Sequence, residues 1–496
     1  MSIKPHFETY RYTTELCKVN SQSIVECRLP GGEISSILAV YAHAVPTECT
    51  CGDGEVRYGG KLLINVVYED SERKVCRAER GAEFTHRAQE ARVVPAAFAS
   101  VRLTADNVTK RREGSALYLS VIVGAEITVY GNAEAEYLYD GEGLITKKGS
   151  VPIVKTIVCS GETELEDDFE TDYVGDILLH SETPAVGSVS AEAGQIVLSG
   201  EVSLNLCAMK SDSSLCSYER LIPYRMEIPC DESLPKLPAS ARVSVLSAVL
   251  TAGADEDRGK CKMTAQLVLR AECELFVRDE LPAAADVYST AAEIGFKTEK
   301  REGKYVCELV RFTERIGGTA SLSVPIDYTT SLQAAVLPRA EIACRQGENG
   351  GEAEGAVFAE VILCDGDGVH KSAELSLPFL FPVSFNGAAY AEAEATVCGL
   401  SVRQRREGEA EVEATLKVTV KLFKEETAEF ISEVEEGEAF EENHSAISIY
   451  VPQEGDDLWE TAKKLRRTPE EVAKSNPDLE FPVKKGERIF VYRRKV

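Results

Sequence analysis

Six histidines, fifteen cysteines and 82 carboxylates are the side chains of this protein equipped for chemistry, and their spacing decides what chemistry that is. The histidines are His6, His43, His86, His180, His370 and His444, one to each long stretch of chain. No two stand at the spacing of a zinc hydrolase, and none accompanies a Gly-x-Ser-x-Gly elbow. Carboxylates abound, but no pattern pairs two of them across a cleft, so glycoside hydrolysis has no support. Gly347-Glu-Asn-Gly-Gly351 reads as a turn between strands, since no helix follows to cradle a phosphate. Cys49-Thr-Cys51 is the single close cysteine pair, with no second pair at finger-like spacing. The histidines read as surface or satisfied residues. The expectation is a protein that is not an enzyme and uses no metal and no cofactor.

The elements that carry these residues must form more than one core. A chain of 496 residues suggests three or four domains. Its composition, 44% hydrophobic and 28% charged, is globular. A net charge of −27 opposes nucleic-acid binding and adsorption to anionic lipid. The charge is uneven. Residues 447–496 hold eleven Lys and Arg against nine Asp and Glu, a surplus of +2, and the remaining 44 and 73 leave −29 elsewhere. That contrast reads first as two solvated surfaces and second as a basis for an acidic partner or a homotypic contact. Cys207, Cys273 and Cys398 fall at strand-like positions, where a reduced thiol acts as a small apolar side chain. With an odd number of cysteines in a large chain, a reducing cytosol is expected. The first residues lack an apolar leader core and no run of eighteen apolar residues occurs, so the protein is expected to be made and kept in the cytoplasm.

One unit recurs. Gly60, Asn65, Cys76 and Glu79-Arg80 match Gly200, Asn205, Cys216 and Glu219-Arg220 without a gap. A weaker third copy sets Gly355, Glu360 and Ala373-Glu374-Leu375 against Gly60, Asn65 and Ala78-Glu79-Arg80. Each copy ends in a long alternating strand. Met263, Ala265, Leu267, Leu269, Ala271, Cys273, Leu275 and Val277 share one face, as do Val412, Ala414, Leu416, Val418, Val420 and Leu422. The first copy, Leu117 to Tyr130, is apolar on both faces and is expected to lie deeper, against a neighbouring unit. Charged turns with Gly precede all three strands, at Lys110–Gly114, Asp255–Gly259 and Arg403–Gly408, and read as solvated hairpin tips. The expected fold class is mainly β: three tandem antiparallel β-sandwich or open-barrel repeats, over 1–145, 146–295 and 296–424, then a small βααβ domain over 447–496. The units are expected as beads on a string, with neighbours free or packed together, and not as a solenoid. Nine of the eighteen residues 425–442 are acidic, and 425–446 is expected to be an extended linker holding the last domain away.

That last domain has its own signals. Tyr450 and Val451 belong to a first strand, Gly455-Asp456 makes a turn, and Asp457 is placed to cap a helix. Leu458, Ala462 and Leu465 form one apolar stripe. Thr468-Pro469-Glu-Glu471 opens a second helix, with Val472 and Ala473 expected to face inward, and Asn476-Pro477 ends it. Gly486 turns the chain into a final strand. Trp459, the only Trp, is expected to pack rather than stack on a ligand.

The spacing Gly-Asp-x-Leu-Trp, Ala462, Asn476-Pro477, Gly486 and Ile489 resembles the LysM family over its full length. The resemblance implies a groove that reads N-acetylglucosamine chains, with Gly455, Asp456, Asp457, Leu458 and Trp459 on one side and Asn476, Pro477, Asp478 and Leu479 on the other. Asp457, Thr461 and Val491-Tyr492 depart from the family's usual Thr, Ile and closing Ile-Pro, which weakens the sugar reading more than the fold. With the repeats, the whole chain resembles SipL-like spore-coat morphogenetic proteins of endospore-forming clostridia, whose repeats belong to the SPOCS family. That resemblance implies a mother-cell protein at the forespore surface. It would dock through its LysM domain on the coat's basal ATPase, SpoIVA, among other coat proteins. The alternative is a peptidoglycan-binding cell-wall protein.

Overall fold

The chain is mainly β, and every strand pairing among the described residues is antiparallel. The computed structural model describes residues 3–29, 34–113, 116–172, 174–255, 260–324, 329–347, 350–405, 408–441, 447–484 and 486–492. The first unit contains β1 (Lys4–Leu29), β2 (Ile34–Cys51), β3 (Glu55–Asp70), β4 (Val75–Gln89), β5 (Phe98–Glu113) and β6 (Ala116–Glu142). They form two sheets, ordered β1-β6-β5 and β2-β3-β4, that share a core of Leu62, Ile64, Val66, Leu119, Val121 and Val123.

The same order follows twice more. After β7 (Ile145–Lys148) come β8 (Val151–Asp172), β9 (Asp176–Glu192), β10 (Gln195–Met209), β11 (Leu215–Pro229), β12 (Ala239–Asp255) and β13 (Lys260–Leu281). Their sheets are β8-β13-β12 and β9-β10-β11. After β14 (Ala284–Tyr288) come β15 (Ala292–Ser321), β16 (Ser331–Gly347), β17 (Gly350–Cys364), β18 (His370–Val383), β19 (Tyr390–Gln404) and β20 (Glu409–Ala439), in sheets β15-β20-β19 and β16-β17-β18. The chain ends with β21 (Ile447–Tyr450), α1 (Leu458–Leu465), α2 (Pro469–Ser475) and β22 (Ile489–Tyr492).

The sequence signature has a physical cause in each unit. Gly60, Gly200 and Gly355 sit opposite Phe84, Tyr224 and Phe379. The aromatic ring lies over each glycine: a Cβ would come within 3.0 Å of Phe84 Cζ or 2.6 Å of Tyr224 Cζ and Phe379 Cζ. Asn65 faces Glu79 and Asn205 faces Glu219, so the matched Asn and Glu are one cross-strand pair, replaced by Glu360 and Glu374 in the third unit. A bulge recurs too, between Ala105 and Asn107, Val245 and Ser247, and Val397 and Gly399. The turn residues 114–115, 256–259 and 406–407 lie outside the described residues, but Glu113↔Ala116, Asp255↔Lys260 and Gln404↔Ala410 pair on either side of them.

The units are packed together rather than free. Ala39 and Val67, Leu179 and Cys207, and Ala334 and Ile362 pair at the same register of the three units, and all six enter one shared apolar cluster. Burying Val67, Leu179 and Ile362 there contributes about 1.5–3 kcal/mol each, enough to hold units that short connections already bring together. Unit one reaches unit two where the His43 ring nitrogen meets the Val245 carbonyl at 2.9 Å. Unit two reaches unit three where Glu219 accepts from the Leu400 N–H at 2.9 Å. Unit three returns to unit one where the buried Glu69 accepts from the His370 backbone N–H at 2.8 Å and meets its ring Nδ1 at 2.7 Å. Three head-to-tail contacts thus close a ring about a pseudo-threefold axis.

A further expectation is corrected. Residues 425–439 are the second half of β20, not a linker. Buried Ala428, Phe430 and Ile431 punctuate the acids, and Lys297, Lys300 and Arg278 pair with Glu433, Glu429 and Glu426. A charge run with period-two apolar residues behaves as a half-buried strand. Residues 442–446, and with them His444, lie outside the described residues. The strand from Leu117 to Tyr130 meets a neighbour toward its end, where Tyr130 donates to Glu274 of the second unit, Thr128 lines the junction between units and Glu126 acts on the Arg242 charge. Tyr118, Ser120 and Ile122 stay half-exposed, with Arg28 and Arg111 over the Tyr118 ring.

Candidate binding module at the C-terminus

β21 pairs with β22 and the two helices pack beneath them, around Ala462, Val472 and Ile489. Local chemistry sets each end. Asp457 caps α1, its carboxylate accepting from the Glu460 N–H at 2.7 Å. Thr468 and Glu471 form a reciprocal capping box with Pro469 at the first helical position. Gly455 and Gly486 take positive φ, +93° and +89°, where only glycine is unstrained. Val472 is buried as its spacing requires, whereas Ala473 is exposed.

The residues assigned to the groove divide into structural and open ones. Gly455 donates to the Val483 carbonyl at 2.9 Å, which ties the turn to the loop before β22. Asp456 accepts from Lys464 at 2.9 Å and from the Gln453 N–H, and the Lys464 bond holds its carboxyl below the usual range. Asn476 is buried, with every polar group used: it donates to the Val472 and Phe490 carbonyls and accepts from the Phe490 N–H at 2.7 Å. It is a clamp between α2 and β22. Leu458 and Leu479 are half-buried in the module's core, while Pro477 and Asp478 are exposed.

Trp459 is turned toward the repeats. Its ring meets Tyr288 edge-on, centroids 5.0 Å apart, and its Nε1–H donates to Asp286 at 2.8 Å. Lys463 donates to both Asp286 oxygens at 2.7 Å, and the Tyr288 hydroxyl donates to the Arg467 carbonyl at 2.6 Å. Lys147 on β7 approaches Asp457 at 3.6 Å. The module therefore rests on the β7–β14 pair between units, rather than standing off on a linker. Packing of Trp459 agrees with the sequence reading; its partners lie more than 170 residues away and had no local signal.

An unanticipated feature lies on the opposite face. Ile447 pairs with Tyr492 and Ile449 with Phe490, and these four side chains are 57%, 52%, 56% and 42% exposed. Val451 extends the strip. The alternation of Ile447, Ile449 and Val451 with Ser448 and Tyr450 was the available signal. A cavity of about 170 Å³ lies beside this strip, between α2 and β22, lined by Arg467, Glu471, Lys474, Phe490 and Tyr492. No protein-family profile, curated protein or solved structure matches this chain.

Proposed function

We propose that this protein is a non-enzymatic assembly scaffold of the SipL-like type, with three SPOCS-like β-sandwich repeats and a LysM domain that grips a protein partner. The partner is the basal ATPase of the spore coat, and the scaffold thereby tethers coat to the forespore surface from the mother-cell side. The observation that carries the reading is the exposed strip of Ile447, Ile449, Val451, Phe490 and Tyr492 on an otherwise compact module. Contiguous apolar side chains on a small sheet mark a protein contact, since water gains by their burial. The single indole, which a sugar would stack on, is instead committed to Asp286 and Tyr288.

The test is a pair of pull-downs with the full chain, one on the purified ATPase and one on peptidoglycan, repeated with Ile449→Asp. Capture by the ATPase, lost in the variant, is expected. Capture by peptidoglycan alone would defeat the scaffold reading. A tagged chain lacking 447–496 should lose its place around the forespore in sporulating cells.

A further inference from the structure

Where the three units meet, strands of all three line a polar cavity of about 240 Å³. It draws Thr128 from β6, Thr156 from β8, Arg242 from β12, Glu274 from β13 and Lys421 from β20. Thr128, Glu274 and Lys421 are the same position in the three units, each following a buried strand residue: Ile127, Cys273 and Val420. Lys421 is 4% exposed. Its nearest carboxylate oxygen, on Glu394, is 3.8 Å away, beyond hydrogen-bonding reach. Among the described residues its ammonium finds no hydrogen-bond acceptor, and it lines the cavity.

Six glutamates line the cavity beside Lys18, Arg242, Lys304 and Lys421; Glu426 is held by Arg278, and Glu302 and Glu425 are exposed. Glu392 pairs with Lys18 and Glu15 with Lys304, both at 2.6 Å, and Glu274 accepts from the Tyr130 hydroxyl. Arg242 approaches Glu394 at 3.4 Å. Thr128 and Thr156, 8% and 5% exposed, also have no hydrogen-bond partner among the described residues. Burial disfavours the Lys421 charge, and Glu394 offsets that only in part, so its pKa lies below the ordinary lysine value. A buried cation with unused donors is costly unless something pairs with it. One water takes about 30 Å³ of liquid, so the cavity has room for a small ligand.

We propose that this cavity binds a small oxyanion, a carboxylate or a phosphate, held by Lys421 and the hydroxyls of Thr128 and Thr156. Such a ligand touches strands of all three units, so its binding holds the ring closed. The experiment is calorimetric titration and thermal melting of the full chain with inorganic phosphate and, separately, malonate, against sodium chloride at matched ionic strength. One of the two anions should bind saturably and raise the melting temperature, and which one does so names the class. Lys421→Met should abolish the effect. Thr128→Val with Thr156→Val, a nearly isosteric change that keeps the test open if the lysine variant does not fold, should weaken binding roughly tenfold or more. The absence of saturable binding by either anion overturns the site, as does binding that survives unchanged in the threonine variant.

Discussion

The indole N–H of Trp459 and the carboxylate of Asp286, 2.8 Å apart, join the last fifty residues to the connection between the second and third units. Burial works against the Asp286 charge, but the bonds from Lys463 and Trp459 outweigh it and hold the carboxyl below its ordinary value. The bond therefore exists in its charged form at neutral pH.

Replacing Asp286 with Ala leaves the indole N–H and the Lys463 ammonium without their acceptor. Docking of the module should weaken by about 1–2 kcal/mol. Because the chain has one Trp, fluorescence reads this directly. Emission should shift to longer wavelength and iodide quenching should rise. An unchanged spectrum would mean that the module is not held at this point.

Gly200 sits under the Tyr224 ring, whose hydroxyl donates to the Ala185 carbonyl beside the same point. Ala there meets backbone that cannot move without breaking the β9–β10 pairing, so Gly200→Ala should destabilise by about 3 kcal/mol, at the severe end of overpacking. Gly253→Ala is the control. Its Cβ would meet only the Lys262 carbonyl, at 3.8 Å, and its effect should be near zero or slightly stabilising. Chemical denaturation of both variants separates them.

Period and local chemistry explain what could be read in advance. The strands from Met263 and Val412 were legible because their alternation is strict, and both caps of the terminal helices follow from residues three apart. The signature pair of Asn65 and Glu79 was visible as a repeat, but not as a cross-strand contact. The ring was not legible at all. Its contacts, Glu69 to His370 or Glu219 to Leu400, join residues 301 and 181 positions apart and obey no period. Asn476 was placed by its motif position, but its bonds to the Val472 and Phe490 backbone had no signal there.

Thr461 lies in α1, fully buried, and its hydroxyl has no hydrogen-bond partner among the described residues. A buried hydroxyl left unpaired costs about 1–3 kcal/mol, and Val fills the same volume without it. Thr461→Val should therefore stabilise the terminal module by roughly 1 kcal/mol, read as a higher denaturation midpoint of the Trp459 signal. A lower midpoint would show that an unseen water or partner satisfies the hydroxyl.

His180 lies within 2.5 Å of Glu182 where the first and second units meet, near Arg77 and Glu79. Burial pulls its pKa down, but the hydrogen bond and charge of Glu182 prevail, and the folded value stands above the ordinary 6.5. The protonated ring is thus favoured by folding. Its contribution is fully present below pH 6.5 and is lost as pH rises through the raised folded value. Stability measured by urea denaturation should fall over that rise. His180→Gln should be less stable at low pH and should flatten this part of the profile, and a histidine variant with an unchanged slope would place the titrating group elsewhere.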